Sequence, residues 1–351
     1  MTKINKLFQK NQASKPLVCV EMSGNHQNNL QSAIEFLNEA YHQGADILKL
    51  QVYTADTITL KSKLPDFKVQ ANNEWSKYST MYDLYSKAFT PWDWIEKIFL
   101  EAKKIGIEVF ASPFDITALN FLESLNCPAY KIASPEITDH NLIRACAKTG
   151  KPVVLSTGLA SEVDIDEAVD ILKESNSRYL ILKCISVYPT KNEDLNLITM
   201  NWLKKKYGCN VGLSDHSIGF EAALAATALG ASLIEKHFKL DGDDSSIDAS
   251  FSMELSELPR LKKSIELVYK SIGENTLRLP EEAKLSYSGR RSLYVVEDIE
   301  GGEAFTLNNI RSIRPCYGLH PKYLNDILGK KANVFIKKGT RLSWELIDLN
   351  S

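Results

Sequence analysis

No CxxC pair occurs among the six cysteines (Cys19, Cys127, Cys146, Cys184, Cys209 and Cys316), which argues against a thiolate metal clip. Several sit inside apolar runs and read as reduced core thiols of a cytoplasmic protein. Long hydrophobic runs are missing too. The longest, residues 222–234, is rich in small residues and shorter than the roughly 20 residues a bilayer requires. The opening stretch MTKINKLFQKNQASK lacks the apolar centre of a signal peptide. Charge of one sign is scarce: 42 Lys and Arg stand against 44 Asp and Glu, a net of −2. That balance gives no broad positive field for nucleic acid. Neither GxGxxG nor HExxH is present, so a dinucleotide-binding turn and a metalloprotease helix are both excluded. What remains is a chain of 351 residues with 44% hydrophobic and 25% charged residues, ordinary for one large or two unequal globular domains.

Eight short apolar runs punctuate residues 17–238: LVCVEMS, ILKLQ, EVFASP, AYKIAS, PVVLST, LILKCIS, VGLSDH and LIEKHF. Their length and β-branched content predict buried strands. Helical patterns lie between them at 31–43, 92–104, 116–125, 141–149, 163–174, 197–207 and 218–229. Several end at a glycine suited to a left-handed cap. Alternating strands and helices make parallel βαβ units, and eight of them predict a TIM (β/α)8 barrel; a doubly wound open sheet is the runner-up, which would more naturally show a Gly-rich first turn. The connection 52–90 is long and polar and predicts an excursion over one mouth.

The barrel domain is expected over residues 1–272, closing with a helix at 255–272. A linker containing Pro280 follows at 273–288, then a small β-rich domain at 289–351. That last part holds ten Lys and Arg against seven Asp and Glu, a net of +3, which leaves −5 on the rest.

Buried strands should be apolar throughout, yet nearly every run here turns polar toward its C-terminal end. The residues are Glu21 and Ser23, Lys49 and Gln51, Ser112, Lys131 and Ser134, Ser156 and Thr157, Lys183 and Ser186, Ser214 to His216, and Glu235 to His237. In a barrel these ends ring the mouth where active sites sit. His216 and His237 on neighbouring strands suit one shared divalent cation, or else two histidines bonded to loops. Lys49 and Lys131 with the strand-end serines suit a phosphate; their structural alternative is a salt bridge to Glu21 or Glu235. A Schiff-base lysine is a third possibility.

The motifs AYKIAS, LSTG, LKCISVYPT, GLSDHS, IEKHF, SLY and RPCYGLHPKYL, in this order, resemble the sialic acid synthase family over residues 15–349. The resemblance extends to an antifreeze-like (SAF) domain at the C-terminus. It implies an enzyme that joins phosphoenolpyruvate to an acetamido-sugar aldehyde, a transferase of cytoplasmic carbohydrate biosynthesis. His216 and His237 would bind a divalent cation, Mn2+ preferred, with Mg2+ or Co2+ as substitutes. Lys49, Lys131, Ser134, Ser156, Ser186, Ser214 and Arg290 (or Arg291) would hold phosphoenolpyruvate. Gln51, Tyr188, Glu235 and Arg314 would face the sugar, Arg314 from the partner in a domain-swapped homodimer. Glu21, or else Asp248, would manage the protons of the attacking water. No nucleic acid or membrane partner is implied. MYDLYSKAFTPWDW and RPCYGLHPKYL resemble the branch acting on a diacetamido-trideoxy sugar rather than the N-acetylneuraminate or legionaminate branches. The excursion offers Phe67, Trp75, Tyr78, Met81, Tyr82 and Tyr85 as apolar lining for such a sugar.

Two rivals from other classes stand beside this expectation. One is a Schiff-base aldolase or lyase using Lys131 or Lys183. The other is a non-enzymatic carbohydrate- or ice-binding protein advertised by the C-terminal domain.

Overall fold

The computed structural model describes residues 2–9, 14–70 and 74–349. The eight apolar runs form eight strands: β1 Leu17–Glu21, β2 Ile47–Val52, β3 Glu108–Pro113, β4 Tyr130–Ile132, β5 Val153–Ser156, β6 Tyr179–Cys184, β7 Asn210–Asp215 and β8 Leu233–Lys239. Each pairs in parallel with the next, and β8 pairs with β1, so the sheet closes on itself. Helices cover the outside, and every side chain of β4, β5 and β8 is buried, as a sheet covered on both faces requires. A two-residue strand, β9 Met253–Glu254, extends the pairing beyond β8.

The predicted helices fall within a few residues of their expected places, and local chemistry sets their ends. Asp115 accepts from the backbone of Thr117 and Ala118 to start Ile116–Ser124. A Ser161–Asp164 capping box starts Glu162–Glu174. The helix expected from 218 starts at Glu221 and the one from 197 starts at Thr199. Gly212 in β7 is required by close approach, since a Cβ there would meet Leu233 O at 2.3 Å.

The excursion after β2 holds two short helices, Ala55–Ile58 and Met81–Ala88; its residues 71–73 lie outside the described residues. Contacts part the chain into Met1–Gly273 and Glu274–Ser351. The stretch read as a linker contains a five-residue helix, Glu281–Leu285, preceded by Pro280 and begun by two acidic residues that favour a helix N-terminus. In the second unit β10 Ser292–Val295 pairs antiparallel with β11 Ile310–Ile313, and β12 Lys331–Ala332 with β13 Ile347–Asp348. Leu293, Phe305, Ile310, Ile336 and Leu342 fill its own small core.

Candidate active site at the barrel mouth

Side chains alternate across a strand, so residues two apart share a face. That rule sorts the polar strand ends. Lys49 and Gln51, Ser214 and His216, and Glu235 and His237 line one cavity with Glu21, Ser112, Lys131, Ser134, Ser156, Cys184, Ser186 and Tyr188. The residues between them do not. Asp215 and Lys236 form a separate buried pair at 3.0 Å, Thr157 Oγ1 donates to Leu182 O, and Lys183 Nζ donates to Cys184 O. None of these four, nor Ser23, lines the mouth cavity. A larger cavity of about 420 Å3 lies elsewhere, against residues at the start of β6 and β7 such as Arg178, Tyr179 and Asn210, and includes none of these groups.

The centre of the mouth is an ion cluster. Lys49 Nζ lies 2.8 Å from Glu21 Oε2 and 3.0 Å from Glu235 Oε1, and Lys131 Nζ lies 3.3 Å from the same Glu235 oxygen. Gln51 Nε2 donates to Glu21 Oε1 and Ser214 Oγ to Glu235 Oε1, both at 2.8 Å. Burial opposes ionisation of Glu21, but His237, Lys49 and Lys131 outweigh it and hold the carboxyl far below its usual range. Glu235 is held low in the same way by Lys131 and Lys49. Burial also works against the Lys49 charge, yet Glu21 and Glu235 raise its pKa above the ordinary value. Lys131 shares Glu235 with Lys49, and for it burial prevails and lowers the pKa. The structural alternative considered for the lysines is thus realised. Each ammonium has three donors, so salt bridging does not exhaust them.

Ser112 Oγ, Ser156 Oγ, Glu235 Oε2 and His237 Nδ1 are all buried without a hydrogen-bond partner. Two free hydroxyls beside two ammonium groups suit a small dianion. Ser134 Oγ accepts from Gly158 N at 2.8 Å, and a Cβ on Gly158 would stand 2.3 Å from Ser186 Oγ and 2.8 Å from both Cys184 Sγ and Ser134 Oγ. The LSTG glycine is therefore the place where the β5 loop closes on three side chains.

Two imidazoles sit beside this cluster, their ring centroids 5.5 Å apart. His216 Nδ1 lies 2.9 Å from Ile185 O, which leaves Nε2 as its available nitrogen. His237 Nε2 lies 3.3 Å from Glu21, which leaves the orphaned Nδ1. Burial lowers the pKa of His237; for His216 burial is outweighed by Cys184, and the pKa is raised. The donor set fits a cation as a two-histidine site. Among the described residues no group of three or more His, Cys, Asp and Glu is arranged to hold one, so substrate and water would complete the shell.

Asp248 is buried in the loop after β8, where its Oδ2 accepts from Gly24 N at 3.3 Å; it is not among the residues that line the cavity. Arg290, Arg291 and Arg314 belong to the second unit. There Arg290 lies over the Tyr287 ring, Arg291 donates to Ser312 O, and Arg314 is exposed. Two mouth residues carry no role in the sequence reading. Cys184 reads from the sequence as a core thiol and is buried and free, yet it also lines the mouth; its spacing of two from Ser186 is the available signal. Ser112 reads from the sequence only as a strand-end polar residue.

Residues 36–276 match the NeuB family and residues 290–348 match the SAF domain. The chain is 42% identical over 335 residues to the pseudaminic acid synthase of Helicobacter pylori, covering 95% of this chain and 98% of that protein. It is 33% identical to the N,N'-diacetyllegionaminic acid synthase of Campylobacter jejuni, covering 91% and 96%. A solved N-acetylneuraminic acid synthetase from Leptospira borgpetersenii, in complex with citrate, is 31% identical at a TM-score of 0.70, covering 79% of this chain and 92% of that one.

Proposed function

The chain belongs to the NeuB family, and from that premise we propose that it makes pseudaminic acid, joining phosphoenolpyruvate to 2,4-diacetamido-2,4,6-trideoxy-L-altrose and releasing phosphate. The observation that supports this reading most directly is the buried Glu21–Lys49–Glu235–Lys131 cluster beside His216 and His237, with two free serine hydroxyls next to it.

Lys49, Lys131, Ser134, Ser156, Ser186 and Ser214 hold the phosphate and carboxylate of phosphoenolpyruvate, and Ser112 joins them. Their fixed charge meets the growing charge on the departing phosphate. C3 of the enol attacks the aldehyde carbon, C2 becomes oxocarbenium-like, and water adds there. Glu21, whose carboxyl His237, Lys49 and Lys131 hold well below its ordinary range, stabilises that centre and orients the water. A divalent cation, Mn2+ by preference, would be held by His216 and His237 and would act as a Lewis acid on the aldehyde. Gln51, Tyr188 and Glu235 face the sugar from the cavity lining, and Asp248, which is not in that lining, is the second candidate for the protons of the water. For Arg290 and Arg314, and for the domain-swapped homodimer, the support is the resemblance to the family.

Among the described residues no helix is long and apolar enough to cross a membrane. Six free cysteines suit the reducing cytoplasm, where we place the enzyme. The Schiff-base reading loses Lys183, which does not line the mouth, and keeps only Lys131. The test is a panel of acetamido and diacetamido hexoses with phosphoenolpyruvate, read by mass spectrometry. A nonulosonate formed best from the L-altrose compound supports the proposal; preference for N-acetylmannosamine or the diacetamido mannose isomer moves the chain to another branch.

A further inference from the structure

The strand that carries His216 leaves the barrel ladder one residue before that histidine. The last paired residues of β7 and β8 are Asp215 and Lys236, and β7 ends at Asp215. His237 stays inside the sheet, because β8 runs on to Lys239 and His237 pairs with Glu21 of β1. His216 lies past the end of its strand and takes no part in the β7–β8 ladder. Its place beside His237 is therefore set by contacts other than sheet pairing.

The opposite face of the two strands supplies such contacts. Lys236 Nζ donates to Asp215 Oδ2 at 3.0 Å and to Ser217 O at 2.5 Å, so one ammonium on β8 grips the residues on both sides of His216. Asp215 Oδ1 accepts from Ser217 N at 2.9 Å and from Ser217 Oγ at 2.6 Å, which closes the turn around His216. On the other flank Thr190 N donates to His216 O at 3.0 Å, and the ring's Nδ1 lies 2.9 Å from Ile185 O. Those two contacts come from the loop after β6 and orient the imidazole, but neither reaches β8. Lys236 ties His216 directly to the strand of His237, from the position next to it in the chain.

Asp215, Lys236 and Ser217 are all buried, and none of them lines the mouth cavity. A buried ion pair adds little net stability over packed apolar side chains, so what this one contributes is a fixed geometry. We propose that Lys236, Asp215 and Ser217 are positioning residues that hold His216 at the separation from His237 at which both imidazoles bind the same divalent cation. This rests on the cation reading given above. Without the tie His216 is anchored to the loop after β6 alone, and the two imidazoles face one cation for only part of the time. Apparent affinity falls in proportion to that fraction. A loss of about 10- to 100-fold is usual when residues that orient metal ligands are removed.

The test measures Mn2+ binding to metal-stripped, full-length protein from the electron paramagnetic resonance signal of unbound Mn2+. Lys236→Met combined with Asp215→Asn removes the ammonium without stranding a buried carboxylate, and asparagine keeps an acceptor for Ser217. Its Kd for Mn2+ should be about 10- to 100-fold above that of wild type. Leu261→Ala serves as the control: Leu261 is buried in the helix Leu258–Ile272, so its loss lowers stability away from the mouth and should leave the Kd within about twofold. Wild-type affinity in the double variant, or an equal loss in Leu261→Ala, overturns the inference. If the double variant does not fold, Ser217→Ala decides, with a Kd raised at least about threefold expected and an unchanged Kd overturning the inference. A wild type that binds no Mn2+ marks the failure of the cation reading itself, and the inference falls with it.

Discussion

The Lys49 ammonium stands 2.8 Å from the Glu21 carboxylate, and neither side chain is more than 3% exposed. Removing the cation leaves Glu21 and Glu235 facing each other without it, and breaking a buried pair in this way costs about 3–5 kcal/mol. Lys49→Met should therefore lower stability by about that amount and abolish turnover. Lys49→Met combined with Glu21→Gln should regain part of the stability and none of the activity. Urea unfolding and a phosphate-release assay check both; a Lys49→Met variant as stable as wild type would refute the energetic importance of the cluster.

Gly158 faces three side chains at distances no Cβ can share. Gly158→Ala should push Ser134, Cys184 and Ser186 apart and raise KM for phosphoenolpyruvate at least about tenfold, a loss of roughly 1.4 kcal/mol in binding. Steady-state kinetics decide it, and an unchanged KM would show that the β5 loop yields without disturbing the anion site.

Burial pushes the Glu136 carboxyl up to about 7 from 4.5, and its buried Oε2 has no hydrogen-bond partner. The folded chain then keeps a proton that the unfolded chain releases near 4.5, so this group makes stability fall as pH rises from about 4.5 to 7. Glu136→Gln removes the ionisation and should stabilise the protein by about 1–3 kcal/mol at pH 8, and by clearly less at pH 5. Thermal melts at the two pH values measure this; equal gains at both would exclude the buried charge as the cause.

His216 and His237 offer one available nitrogen each. EDTA should abolish turnover and Mn2+ should restore it. Full activity of a metal-stripped His216→Ala/His237→Ala double variant would end the proposal of a cation at this site.

Water adds at C2, and the tetrahedral intermediate then collapses to the keto acid and expels phosphate, so the C–O bond of phosphoenolpyruvate breaks, not P–O. Oxygen-18 placed in the bridging position should leave entirely with phosphate. Label retained in the keto acid product would contradict the mechanism.

Much of the mouth was legible because a covered parallel barrel makes polar strand residues conspicuous. Lys49 and Gln51, Ser214 and His216, and Glu235 and His237 stand two apart, and that spacing alone puts each pair on one face. Asp215 and Lys236 were equally conspicuous but belong to the opposite face, where they satisfy each other at 3.0 Å. Composition marks such residues as polar and buried; the strand's alternation assigns them to a side only once one inward residue is known.

The amino-acid sequence by itself determined the eight-fold strand and helix alternation, the ring of polar strand ends, and the change to short alternating runs after residue 289, because these depend on local periodicity and on residue type. Only the tertiary structure decided that Lys49 is shared between Glu21 and Glu235, that Ser112 and Ser156 are left without partners, and that Trp75 reaches Tyr188. Those relationships depend on how closed strands stagger and how a long loop folds back. They are distances between residues far apart in the chain, and no local pattern encodes them.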